Sequence, residues 1–264
     1  MHRFSLKLTA LALAAAAWSG AAAAPASAVP DEPLATASYG RAQVAIKQDP
    51  QVGDGFWLTY TADADAPEEV LAVDLPKGMN PHQQAVGLGL DATGLLTAVL
   101  QGPRGIYWTH VTRPDGLHRL ARTAEGQYPS IYRGRVAYVC DGGSAVCKAS
   151  LRTKARSVLH REPDSSWWRL YGVRIGPGDA LALEGQRDGA LGASRIQIKR
   201  HGKKPKTVAD ANLDSNEAVV LGDVSPAGDH LTVLRRTYPA DWDPRVEPSF
   251  VVSVFTFPGA KQVV

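Results

Sequence analysis

Gly176-Pro177-Gly178-Asp179 runs straight into Ala180-Leu181-Ala182-Leu183, and Ser225-Pro226-Ala227-Gly228 leads through Asp229 into His230-Leu231-Thr232-Val233-Leu234. In both, Pro supplies φ near −65° and Gly supplies a positive φ or tight clearance, so the stretch closes a turn between antiparallel strands. The event recurs along the chain. Gly53-Asp54-Gly55 precedes Phe56–Tyr60, Asp91-Ala92-Thr93-Gly94 precedes Leu95–Leu100, and Tyr132-Arg133-Gly134 precedes Arg135–Cys140. Counted from the last Gly of each turn, the positions are 55, 94, 134, 178 and 228, with steps of 39, 40, 44 and 50 residues. A period near forty is the mark of a repeat architecture.

Each unit carries further strand-like runs. Val70–Leu75, Ile106–Val111, Ala145–Leu151, Arg195–Lys199 and Phe250–Phe255 follow the first run after a polar break. Ala85–Leu90, Pro129–Tyr132, Leu170–Ile175 and Ala218–Val224 precede the Gly turn. β-Branched, Leu and aromatic residues dominate these runs, some alternate with period two, and no long segment after the leader keeps a helical period. The fold class is therefore all-β. Five units of about four short antiparallel strands predict a five-bladed β-propeller, with a pair of β-sandwiches as the competing arrangement on strand spacing alone. The small-Pro-x-Gly-x-x-Leu form of the last two turns resembles the repeat of TolB-like (PD40-type) propellers, in degenerate form. That resemblance implies a propeller, often of six blades, and families of secreted scaffolds and non-catalytic peptidase domains; the motif is a structural turn and implies no active site. With five units in hand, ring closure is expected from Arg41–Lys47 pairing beside Phe250–Phe255, which would leave no exposed sheet edge.

The first 28 residues read as an address. Arg3 and Lys7 precede an Ala/Leu-rich run from Leu8 to Trp18, and Ala26-Ser27-Ala28 fits a signal-peptidase site. Export with cleavage is expected, with an uncleaved anchor as the alternative. That leaves 29–40 as a linker, 41–264 as one propeller, and an envelope or extracellular location. Without the leader the 29 basic residues become 27 against 26 acidic ones, so the net charge falls from +3 to +1. This removes the general electrostatic case for a nucleic-acid partner. The 264-residue chain has 44% hydrophobic residues, dispersed rather than massed, so no span is expected after the leader is removed.

Cys140 and Cys147 flank a turn-forming stretch, Asp141 to Val146, and an exported hairpin of this shape predicts a structural disulfide. Trp167-Trp168, near Tyr171, lies at a unit boundary. Adjacent strand residues face opposite ways, so one of the two indoles is left for a neighbouring blade or for a stacked ligand. Asp241-Trp242-Asp243, with Arg245 and Glu247, fills the long insertion Thr237–Pro248 and combines carboxylates with an aromatic ring, a combination found in sugar sites. Trp167, Trp168, Asp241, Trp242 and Asp243 are thus the candidate ligand-binding residues, each with a plain structural reading beside it. Arg195–Lys206 reads as a basic hairpin turning at Gly202, suited to edge protection or to anionic polymers. No catalytic motif, cofactor fingerprint or metal-ligand spacing occurs, so no cofactor or metal is expected. The expected function is a monomeric binding or scaffolding module for a protein or glycan ligand. The alternative is a secreted glycosidase or lyase using two carboxylates about 5–10 Å apart in the axial channel.

Overall fold

The computed structural model describes residues 33–48, 55–71, 73–80, 84–121, 123–153, 155–163, 168–187, 193–212, 216–239 and 247–264. Their strands form five antiparallel sheets taken in chain order. Blade 1 holds β1 (Ala35–Tyr39), β2 (Ala42–Gln48), β3 (Phe56–Thr61) and β4 (Glu69–Val70). Blade 2 holds β5 (Val86–Leu90), β6 (Leu96–Gly102), β7 (Gly105–His110) and β8 (His118–Arg119). Blade 3 holds β9 (Gln127–Tyr132), β10 (Arg135–Cys140), β11 (Ala145–Ser150) and β12 (Arg156–Arg161). Blade 4 holds β13 (Trp168–Ile175), β14 (Leu181–Arg187), β15 (Ser194–Lys199) and β16 (Lys206–Ala211). Blade 5 holds β17 (Glu217–Val224), β18 (His230–Thr237) and β19 (Ser249–Thr256). Within each sheet every strand pairs with its successor in sequence, so each blade is a meander. The first strands of all five blades share one axial channel, to which they contribute Ala37, Gly87, Ile131, Ile175 and Val224. The chain is a five-bladed, all-β propeller.

The repeating turns join the first and second strands of each blade. Gly94, Gly134, Gly178 and Gly228 sit there with φ of 86°, 74°, 61° and 76°, in the region where a side chain is strained. The fifth member is Gly40, with φ 65°, between β1 and β2. This corrects the first repeat: Gly55 precedes β3, a third strand, and the near-regular step from 55 to 94 is a coincidence. Measured from Gly40, the first unit is 54 residues long, with positions 71–85 falling between the end of β4 and the start of β5. The first sheet consequently begins inside the stretch 29–40 read as a linker.

Closure of the ring is corrected as well. Residues 42–47 lie in β2, held between β1 and β3, and none of them pairs with β19. The outer neighbour of β19 is the C-terminal tail: Phe255 bridges Gln262, the Val254 N–H donates to the Val264 carbonyl (2.9 Å), and the Val263 N–H donates to the Val254 carbonyl (2.7 Å). Blade 5 meets blade 1 at the turns, where the Tyr39 hydroxyl donates to the Pro226 carbonyl (3.4 Å) and Gly40 lies against the Pro226 ring.

The apolar core divides into four clusters, one at each consecutive blade interface. Period-two alternation explains them. Val136, Tyr138 and Cys140 of β10 face blade 2, whereas Ala137 and Val139 face blade 4. A blade buried on both faces needs apolar residues at successive positions, and Arg135–Cys140 supplies them. The predicted disulfide forms in this central blade, Cys140 to Cys147, with Cα atoms 6.0 Å apart. Ladder register pairs Cys140 with Ala145 and Cys147 with Tyr138, so the cysteines are diagonal neighbours on one face rather than directly opposed.

Candidate ligand site at the axial mouth

The two ends of the channel differ. At the turn end the repeating turns crowd together: a Cβ added to Gly228 would lie 2.7 Å from Pro177, and one on Gly134 would lie 2.9 Å from the Ala92 nitrogen. The channel beside them encloses about 30 Å³, room for a water or two. At the opposite end, where the inner strands begin, it widens into a mouth of about 210 Å³ lined by Gln84, Tyr128, Tyr171, Arg174 and Glu184, among others. A second depression of about 270 Å³ adjoins it on the same face and shares Gln84.

Irregular strands put the aromatic residues there. In blade 4, Leu170 pairs with Gly185 and Gly172 with Glu184, so Tyr171 is the extra residue of a bulge and stands 42% exposed. In blade 3 the pairing jumps from Ser130–Ala137 to Gln127–Val139, and Tyr128 inside the jump has φ 51°. Its N–H is anchored on Gln101 Oε1 at 3.2 Å. Bulges re-aim side chains. Here they bring the two phenol rings to 6.2 Å between centroids, with planes inclined by 52°.

Glu184 comes from β14, the second strand, and reaches the axis across Gly172 of the inner strand. A Cβ on Gly172 would stand 3.1 Å from both Cβ and Oε2 of Glu184, so the glycine is there for clearance. Oε2 accepts the Leu221 N–H at 3.1 Å. Burial pushes the carboxyl above the usual carboxylate range, against the lowering pull of the Leu221 N–H and the Arg174 charge. Tyr128 is raised too, by burial first and then by Tyr171 and Glu184. Arg174 is already engaged: Nε donates to Asp223 Oδ1 at 3.2 Å, and Nη1 donates to the Val173 carbonyl at 3.1 Å. Gln84 donates through Nε2 to the Asn80 carbonyl at 2.5 Å, while its Oε1 is buried with no hydrogen-bond partner among the described residues.

Of the residues expected from sequence, Trp168 begins β13 on this same face. The Arg195 guanidinium lies over its ring at 4.2 Å and also donates to Glu162 Oε2 at 2.9 Å. Glu162 Oε1 meets His160 Nε2 at 3.2 Å. Burial pushes Glu162 up, but the hydrogen bonds and charges of His160 and Arg195 together hold the carboxyl below its ordinary range. Trp168 thus belongs to a polar clamp between blades 3 and 4. Trp167, Asp241, Trp242 and Asp243 lie outside the described residues. The residues flanking the long insertion, Thr237 and Ser249, pair with one another at the end of blade 5 where β17 begins, the same face as the mouth. The basic hairpin turns at Gly202 as expected, and its cations reach neighbouring blades: Lys199 to the Leu159 carbonyl (3.1 Å) and Arg200 to the Pro258 carbonyl (3.2 Å).

Sequence reasoning missed Gln84, Tyr128, Arg174, Glu184 and Asp223. One signal was available: Leu181-Ala182-Leu183-Glu184-Gly185 sets an acid inside an otherwise buried run. Among the described residues two carboxylates line the axis: Asp223 the narrow section and Glu184 the mouth, with Arg174 lining both. Among the described residues no group of three His, Cys, Asp or Glu side chains is placed to hold a metal, and no helix is long and apolar enough to cross a membrane.

Fold and channel together define the class, a five-bladed β-propeller with one constricted and one open axial end. Solved structures share that fold at low identity. A nidogen/laminin complex aligns over 89% of this chain and 79% of its own, with TM-score 0.52 and 11% identity. A puromycin hydrolase S511A mutant complexed with PGG aligns over 88% of this chain, with TM-score 0.54 and 14% identity; this chain spans 38% of that one. No family model and no curated protein sequence matches the chain.

Proposed function

We propose that the protein is an exported binding module whose ligand docks on the face bearing the axial mouth. The observation that carries the reading is the mouth itself, a cavity of about 210 Å³ with two bulge-mounted tyrosines and a buried carboxyl at the centre of the ring. Concave sites with a few convergent polar groups are the usual form of ligand pockets. Trp168, on the same face, extends the contact outward in this reading, and Asp241, Trp242 and Asp243 stay candidate ligand residues on their sequence alone. Export is supported by the Cys140–Cys147 disulfide and by the leader-like first 28 residues. Placement among the TolB-like propellers, as a degenerate member, belongs to the same reading and rests on the Ser225-Pro226-Ala227-Gly228 and Gly176–Leu183 turns. The nidogen/laminin likeness is consistent with a propeller used for protein binding.

Site-specific photo-crosslinking tests it. A benzoylphenylalanine at position 171 is expected to capture a component of the envelope or secreted fraction, and the same probe at position 227, on the turn face, is expected to capture none. Equal capture from both positions, or none from 171, overturns the placement.

A further inference from the structure

We infer that the axial mouth recognises a single cationic side chain, a lysine-like ammonium presented by a protein ligand, with Glu184 as counter-ion and Tyr128 and Tyr171 as its aromatic walls. The inference rests on the binding-face reading above and names the chemistry of that site.

Three observations converge. The first is charge. Arg174 is matched by Asp223 at 3.2 Å, which leaves the Glu184 carboxylate without a full counter-charge among the described residues of the mouth; one of its oxygens accepts the Leu221 N–H. The groups facing it are Tyr128 of β9, Tyr171 and Arg174 of β13, and the Leu221 N–H of β17. A buried carboxyl so placed gains most from an incoming cation. The second is the surplus of acceptors. The Gln84 Oε1, buried and unpartnered among the described residues, and the Glu184 carboxyl both line the mouth, and a donor-only ammonium satisfies acceptors without adding one. Two phenol rings 6.2 Å apart supply the negative π-faces that stabilise an alkylammonium. The third is size. A cavity of about 150 Å³ accommodates benzene, so 210 Å³ takes the five heavy atoms of a lysine side chain and leaves room for a water.

The test uses N-acetyl-lysine-N-methylamide and its uncharged isostere N-acetyl-norleucine-N-methylamide, titrated into the mature protein and followed by NMR. The lysine compound is expected to bind at least about tenfold more tightly and to shift resonances around Tyr171. Glu184→Gln is expected to lose about tenfold or more of that affinity. Affinity falls as pH falls through the raised Glu184 titration, because protonation removes the counter-ion. Should Glu184→Gln fail to fold, Tyr171→Ala at the exposed bulge serves, with an expected loss of severalfold. Equal binding of the two compounds, or unchanged affinity in both variants, overturns the cationic assignment. If that occurs while crosslinking from position 171 persists, the binding-face reading stands without it; loss of both removes the reading as well.

Discussion

The interface between blades 3 and 4 and the meeting of blades 5 and 1 are built differently. Between blades 3 and 4, Ala137, Val139 and Val146 interlock with Leu170, Val173, Ile175, Leu181 and Leu183, all buried, and the His160–Glu162–Arg195–Trp168 clamp closes the mouth-side end. Between blades 5 and 1 no apolar cluster forms among the described residues. Blade 5 sends Val219, Leu221, Leu231 and Val233 toward blade 4, where they are buried. The alternate residues Val220, Leu234 and Val254 are only half-buried, and Val252 is 57% exposed. Blade 1 sends Val44, Ile46 and Leu58 into the cluster with blade 2, while its other face carries Gln43, Ala45, Lys47 and Thr59, of which Ala45 and Thr59 are buried without joining an apolar cluster. Among the described residues, the ring of five blades has an apolar cluster at four interfaces and the Tyr39–Pro226 turn contact at the fifth. Terminal units of stacked repeats are commonly atypical for the same reason: they have a neighbour on one side.

The largest test of that contrast pairs two leucines. Leu183→Ala, in the sealed interface, is expected to cost about 2–5 kcal/mol, whereas Leu234→Ala, on the seam face of β18, is expected to cost less than about 1 kcal/mol. Urea unfolding of both variants checks it, and equal losses would erase the distinction. Next in size is the disulfide. Replacing Cys140 and Cys147 with Ser is expected to remove about 2–3 kcal/mol through the short loop it closes. The loss should appear as faster amide exchange in β10 and β11 rather than at the seam.

Two glutamates, Glu162 buried and Glu184 half-buried, give a pH test with opposite signs. Glu162 is held below its ordinary range, so its contribution is present above the unfolded carboxylate titration and is lost as pH falls through the lowered folded value. Glu184 is raised, so its contribution is full below the unfolded titration and fades as pH rises through the folded one. Glu184→Gln is therefore expected to be less destabilising, or stabilising, at pH 8 than at pH 4, and Glu162→Gln the reverse; melting temperatures at the two values decide. The smallest expected effect is Val252→Thr on the exposed part of β19, within about 0.5 kcal/mol of the parent. A larger loss would mean that this strand face is covered in the folded protein.

The repeat was legible because its chemistry is local. Gly94, Gly134, Gly178 and Gly228 need positive φ wherever the chain folds, and that need is written at each turn. Blade 1 misled because Gly53-Asp54-Gly55 mimics the same signal one strand too late, whereas the positive-φ glycine of the true turn is Gly40. Trp168 was visible as a large aromatic at a boundary, but its partner Arg195 lies 27 residues on and meets it through the blade's own sheet. The mouth was not legible. Tyr128, Tyr171 and Glu184 come from blades 3 and 4, two of them aimed by bulges whose existence depends on ladder register.

By itself, then, the sequence determined the strand type, the repeat, the disulfide and the number of blades, since each follows from backbone preferences and alternation within some forty residues. Only the tertiary structure decided which strand begins each blade, how the ring meets itself and what gathers at the axis. Those depend on register and on the clearance left by Gly172, quantities set between blades rather than along the chain.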